Sequence, residues 1–262
     1  SPILLVCFKK GTGLLTIFSQ RPVSFFILFF LLNFFLPAYA QEKAYDYVIK
    51  GTFLFDGESL VPVKRDIAIL GDRIAQIGDI SEEEGKEVID AEGLAAAPGF
   101  IDIHTHSDFN PFVYPNLGNK VFQGVTTEVV GNCGMSAAPV EGPEEEEIDN
   151  IWKREGVTIP KPIAWKTFKE YRGDIEFQGL ETNFVGLVGH GNLRYSFFGR
   201  STGVPNETQM ELMKQKLGEA FDGGASGLSF GLTYLPGVFA KNEEIITLCE
   251  IAAQRKKLCI FH

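Results

Sequence analysis

The chain has four histidines, His104, His106, His190 and His262, and each falls at the end of an apolar run. Cys133 ends another such run, Thr126–Cys133. Imidazole nitrogen and thiolate sulfur together suit zinc, a borderline-soft ion that accepts both donors. His104 and His106 are spaced i, i+2, which on a β-strand turns both imidazoles to one face at the strand's C-terminal end. A catalytic zinc keeps one position open for water, lowers that water's pKa towards ~7 and polarises a carbonyl. The reaction class that follows is hydrolysis of an amide, an ester or a cyclic imide. Plainer readings stand beside this one. The histidine pair could sit in an ordinary loop, and Cys133, beside Gly131 and Gly134, could be an inert buried thiol. His190 could serve a supporting or structural role rather than ligation. His262 has no following residues in the chain to test its reading.

Such side chains need elements to hold them. After Pro98-Gly99 the chain alternates apolar runs with loops and helical stretches, the runs being Phe100–His106, Thr126–Cys133, Asn183–His190, Gly227–Tyr234 and Leu258–His262. Asn206 caps a helix from Glu207 to about Phe221, with Met210, Leu212, Met213, Leu217, Ala220 and Phe221 as its apolar stripe and Gly223-Gly224 as its stop. Asn242 begins a second helix, Glu243 to about Lys257, acidic at its start and basic at its end. This rhythm predicts α/β architecture with a parallel sheet. Five units without a Rossmann-type glycine signature favour a truncated (β/α)8 TIM-type barrel, in which sites collect at the C-terminal ends of the strands. The stretch from Val140 to about Gly179 is long for a βα connection. It carries Glu144–Glu147, expected as a solvated helix start, and both tryptophans, and it is expected to form a partly helical flap over the barrel mouth. Residues 41–98 hold four short strands with turn signals at Asp56-Gly57 and Gly71-Asp72. They are expected to pair antiparallel as part of a small β-sandwich domain.

With 45% hydrophobic and 22% charged residues the chain can bury a real core. A formal charge of −10 and the lack of a Lys/Arg cluster argue against nucleic acid as a partner. Lys9, Lys10 and Arg21 precede the apolar run Val23–Leu36, and Pro37-Ala-Tyr-Ala40 follows. This is the pattern of a cleavable secretory signal peptide over residues 1–40. Export to a periplasmic or extracellular location, with no stable membrane insertion after cleavage, is the expectation. A membrane anchor at residues 23–38 is the alternative. Both ends read as cut, with Ser1 in place of Met and a β-run stopping at His262. Beyond Cys7, the cysteines Cys133, Cys249 and Cys259 do not form a disulfide framework. Cys249 and Cys259 read as small buried hydrophobes.

Pro98-Gly-Phe-Ile-Asp-Ile-His-Thr-His106 resembles the first-strand signature of the amidohydrolase superfamily. Gln123–Gly134, with its Asn-Cys-Gly ending, is narrower and resembles the N-acyl-D-amino-acid deacylases (D-aminoacylases). So do Val188–Arg194, Gly227–Tyr234 and the helix leading to His262. The resemblance runs from about Tyr45 to the end. It implies a zinc-dependent hydrolase cleaving the N-acyl amide of an N-acyl-D-amino acid, a small-molecule substrate, with zinc-activated water. It further implies that Cys133 stands where relatives carry a carboxylated lysine ligand, and that His262 is the strand-five ligand. His104 and His106 would frame a weaker second metal position. A strand-six histidine and a proton-shuttling strand-eight aspartate would lie beyond His262, so residues 1–262 by themselves are expected to be inactive. Two other readings remain. One is a cyclic-amide hydrolase of the dihydroorotase or hydantoinase kind, disfavoured because Gly227–Tyr234 contains no lysine. The other is a non-catalytic exported barrel protein.

Overall fold

The computed structural model describes residues 43–114, 118–140, 144–154, 156–159 and 162–262. The signal-peptide and anchor readings fall outside them. Among the described residues no helix is long and apolar enough to cross a membrane. Packing divides the chain into two compact units that meet between Pro98 and Gly99.

In the first unit, β1 (Tyr45–Leu54), β2 (Val63–Leu70), β3 (Arg73–Gly78), β4 (Gly85–Asp90) and β5 (Ala95–Ala96) form one sheet, ordered β3-β2-β1-β4 with β5 also on β1. The hairpins β1–β2 and β2–β3 are antiparallel, as expected. β4 and β5, however, pair parallel to β1. The cause is the connection: a capped turn, Glu82–Glu84, carries the chain across to the far side of β1 rather than back beside β3. Period-2 alternation buries residues on both faces, Ile49 and Ile67 in one cluster and Val48 and Ala68 in the other.

The second unit contains β6 (Phe100–Asp102), α1 (Asn110–Val113), β7 (Val125–Val130), α2 (Glu144–Arg154), α3 (Phe168–Gln178), β8 (Asn183–Gly189), α4 (His190–Phe198), α5 (Glu207–Asp222), β9 (Gly227–Phe230), α6 (Asn242–Gln254) and β10 (Leu258–Phe261). The five strands lie in chain order, β10-β9-β8-β7-β6, and every pair is parallel. This is five-eighths of a TIM-type barrel wall, with a β domain before it in the chain.

Local chemistry accounts for the helices. At α5, Asn206 accepts from the Gln209 N–H at 2.9 Å, and the Gln209 side chain returns a bond to the Asn206 N–H at 3.0 Å. Met213, Leu217, Ala220 and Phe221 form its buried stripe, whereas Leu212 is exposed because its position falls off that face. α6 begins at Asn242 rather than after it, Lys241 holds the cap position, and the helix stops at Gln254, ahead of the basic turn. The Val140–Gly179 stretch supplies α2 and α3 and more than a cover. Trp152 and Trp165 are 2% and 5% exposed, and both rings pack on Phe109, at 5.0 and 5.8 Å. Large aromatics buried in this way are a main part of the unit's core.

Candidate metal centre

The side chains of His104, Cys133 and His262 converge, with one ligand atom from each lying within 4.8 Å of the others. The Cys133 sulfur is central, 3.2 Å from His104 Nε2 and 3.4 Å from His262 Nδ1. Cys133 is buried, while both imidazoles are exposed on the open side of the cluster.

The segment bearing His104 departs from the strand expected for it. β6 ends at Asp102, and the chain bends before His104, although the Thr105 N–H still reaches the Val129 carbonyl of β7 at 3.2 Å. Strand alternation therefore does not govern His104 and His106. Side chains hold the bend instead. Asp102 accepts from the His104 N–H at 3.2 Å and is ion-paired to Lys120, whose ammonium holds the Asp102 carboxyl below its usual range. The buried Glu128 accepts from the Ser107 hydroxyl at 2.5 Å and from Thr182 at 2.7 Å. His106, half buried, lies outside the three-residue cluster. Its ring centre is 5.6 Å from that of His104 and 6.1 Å from Trp152.

Cys133 sits in a turn that few sequences could form. Its φ is +57°, between Gly131 at +79° and Gly134 at +71°. A residue with a Cβ in the left-handed region costs about 1–2 kcal/mol and persists only where its surroundings enforce it. The enforcement is visible. The Asn132 amide donates to the Val129 carbonyl at 2.7 Å and to the Thr105 carbonyl at 3.2 Å, tying the cysteine turn to the histidine segment. Ser229 of β9 accepts from the Gly134 N–H at 3.1 Å and donates to the Gly131 carbonyl at 2.5 Å. A Cβ on Gly131 would come within 2.2 Å of the Leu187 carbonyl oxygen, so glycine is required there.

His262 follows β10 directly, and its N–H bonds the Phe230 carbonyl at 3.0 Å. Its Nε2 lies 3.1 Å from the Tyr234 hydroxyl. With Nε2–H donating to that oxygen, the Nδ1 lone pair faces Cys133, the tautomer a metal ligand needs. Zinc bonds of about 2.0–2.1 Å to nitrogen and 2.3 Å to sulfur place neighbouring tetrahedral donors about 3.5 Å apart. The observed 3.2 and 3.4 Å fit one shared ion.

His190 is not part of this cluster. It opens α4, fully buried, with Nε2 2.7 Å from Glu244 Oε1, and Arg194 is ion-paired to the other oxygen of Glu244. Three further residues carry weight that their sequence context does not announce. Tyr234 is read as a strand end but lies in the turn after β9. Glu244 reads as a favourable charge at a helix start. Asp108, two residues past His106, is fully buried with Oδ2 lacking a hydrogen-bond partner among the described residues, and burial pushes its carboxyl up to about 7. The Ser-Asp pair directly after the H-x-H is the one signal that could have singled it out.

Known proteins are similar to this chain. The chain is 37% identical over 222 residues to an N-acyl-D-glutamate deacylase of Alcaligenes xylosoxydans xylosoxydans, which covers 85% of this chain and 44% of that protein. An N-acyl-D-aspartate deacylase of the same organism is 35% identical over 206 residues, 78% of this chain and 40% of that one. The crystal structure of an N-acyl-D-glutamate deacylase from Bordetella bronchiseptica, complexed with zinc and a phosphonate inhibitor, is similar with a TM-score of 0.74 and 33% identity. That similarity covers 83% of this chain and 45% of the other. The chain thus spans less than half the length of these relatives. A sequence model of the amidohydrolase family matches residues 87–259, from the last long strand of the first unit through β10, and the chain belongs to that family.

Proposed function

We propose that this protein is a zinc-dependent hydrolase that cleaves the N-acyl amide bond of N-acyl-D-amino acids. The observation that carries the reading is the Cys133 sulfur held between two imidazole nitrogens at metal-sharing distances, in a chain whose relatives are named as D-amino-acid deacylases. Cys133, His262 and His104 would hold the ion, with His106 beside them at a second, weaker position. Zinc supplies polarisation of the amide carbonyl and acidification of water.

The chain's own residues supply the positioning. Asn132 and Ser229 fix the turn that presents the Cys133 sulfur, and Tyr234 fixes the ring of His262. Asp102 and Lys120 hold the backbone at His104. Proton transfer to the departing amine falls to an aspartate outside the 262 residues, as the family resemblance implies.

The test is a panel of matched N-acetyl-D- and N-acetyl-L-amino acids, including the glutamates and aspartates, with the zinc-loaded and chelator-stripped full-length protein. Free D-amino acid is expected to appear only with metal present. Preferential turnover of the L-series, or of a hydantoin ring, would contradict the proposal.

A further inference from the structure

The Val140–Gly179 stretch reaches the metal centre through the indole of Trp152. That residue lies buried in the last turn of α2, and its ring meets His106 edge to face, with 6.1 Å between ring centres and 66° between planes. The same indole packs on Phe109, three residues further along, at 5.0 Å and 69°. Phe109 is fully buried and also meets Trp165, whose Nε1–H donates to the Ala137 carbonyl at 2.8 Å. Ala137 comes four residues after Cys133. The two tryptophans therefore join the segment that carries His106 to the segment that carries Cys133.

We propose that Trp152 is the positioning residue of the second, weaker metal position, its indole holding the His106 imidazole at the spacing from His104 that a second ion needs. The inference rests on the zinc reading of the cluster. His106 needs such a support, because β6 ends at Asp102 and strand geometry does not set the direction of its side chain. The ring centre of His106 is 5.6 Å from that of His104, the same distance that separates His104 from His262. Two imidazoles on one tetrahedral zinc, with bonds of about 2.0–2.1 Å, place their ring centres about 5.2 Å apart. The His104–His106 pair is thus spaced for a shared ion as the His104–His262 pair is. A group that orients a metal ligand contributes about 10–100-fold in metal affinity, and a ring contact without a hydrogen bond belongs at the low end of that range. The effect of Trp152 should fall on the second ion, since the Cys133 turn is held by Asn132 and Ser229 and the His262 ring by Tyr234.

The experiment titrates chelator-stripped full-length protein with Co2+, an open-shell ion that quenches nearby indole emission, and follows tryptophan fluorescence together with the thiolate-to-cobalt absorption. The first equivalent is expected to raise the absorption, and a second, weaker one to quench the emission; His106→Ala should lose the second step alone. Trp152→Ala should weaken the second ion about tenfold and leave the first unchanged, whereas Trp152→Phe, which keeps an aromatic edge against His106, should restore most of the loss. Circular dichroism checks the fold of each variant. Unchanged affinity for the second ion in Trp152→Ala would overturn the inference. Equal weakening of both ions would do the same, because it is what a merely structural role predicts. A native protein that binds one ion and no second would overturn the inference while leaving the zinc reading in place. A native protein that shows no thiolate-to-cobalt absorption would overturn the zinc reading itself, and the inference with it.

Discussion

Replacing Cys133 with alanine is expected to weaken zinc binding at least about 100-fold while leaving the fold in place. Losing a residue that merely orients a ligand already costs 10–100-fold in metal affinity, and a direct ligand must cost more. Cys133 is also the one member of the cluster that binds as an anion, so its loss removes both a bond and the charge that offsets the ion. Alanine accepts φ near +57° about as poorly as cysteine does, so the turn enforced by Asn132, Ser229 and the flanking glycines should survive the change. The two imidazoles that remain would form a weak site. Competition against a chromophoric chelator measures the affinity, and circular dichroism checks the fold. Unchanged affinity in the variant would show that the sulfur is not a ligand.

Replacing Glu244 with alanine is expected to remove about 3–5 kcal/mol of folding stability, the usual consequence of leaving a buried charge without its partner. That is a large part of the 5–15 kcal/mol typical of a folded protein. Arg194 is fully buried, ion-paired to Glu244 and hydrogen-bonded to the Gly203 carbonyl at 2.6 Å, and its Nε has no hydrogen-bond partner among the described residues. Removing the carboxylate leaves that guanidinium charged in a dry site and takes away the acceptor of His190. Urea unfolding measures the loss, and a change below 1 kcal/mol would show that the triad is not structural.

The same triad makes stability depend on pH. Burial holds the His190 imidazole below its usual range despite the opposing pull of the Glu244 hydrogen bond. For Glu244, burial alone would raise the carboxyl, but hydrogen bonds from His190 and Arg194 outweigh it and hold the group low. Both groups therefore resist protonation more when folded than when unfolded. Their contribution is present at neutral pH, starts to fall as pH drops through about 6.5 and falls further through the carboxylate range. Asp108, which burial pushes up to about 7, titrates in the same window with the opposite sign, so the His190 share is the part of the slope just below pH 6.5 that changes in His190→Gln.

How much of this is legible in the sequence depends on how far each feature reaches along the chain. The five parallel strands and α5 follow from local pattern: Gly227–Phe230 is an unbroken buried run, and Asn206 with Gln209 spells its own cap. The left-handed turn at Cys133 is foreshadowed by its two glycines, but among the bonds that enforce it are those to Ser229, 95 residues from Gly134. Strand alternation would have made His104 and His106 equivalent. It fails because β6 stops at Asp102, where the Lys120 ion pair and the reach of the chain towards Val129 set the path instead. His190 looks like the other histidines in one dimension, since it too ends an apolar run. Only the packing of α6 on β9, against which α4 also packs, brings Glu244 to it across 54 residues and shows it to be a buried ion-pair partner. No periodicity encodes such a pairing, because both residues also satisfy ordinary local rules.

The most direct measurement is X-ray absorption at the zinc edge of the metal-loaded protein. A centre built on Cys133, His104 and His262 should show one sulfur scatterer at about 2.3 Å together with nitrogen or oxygen neighbours at about 2.0–2.1 Å, including the outer-ring pattern of imidazole. The sulfur signal should vanish in Cys133→Ala. A first shell of nitrogen and oxygen alone in the unmutated protein would contradict the metal centre described for this chain.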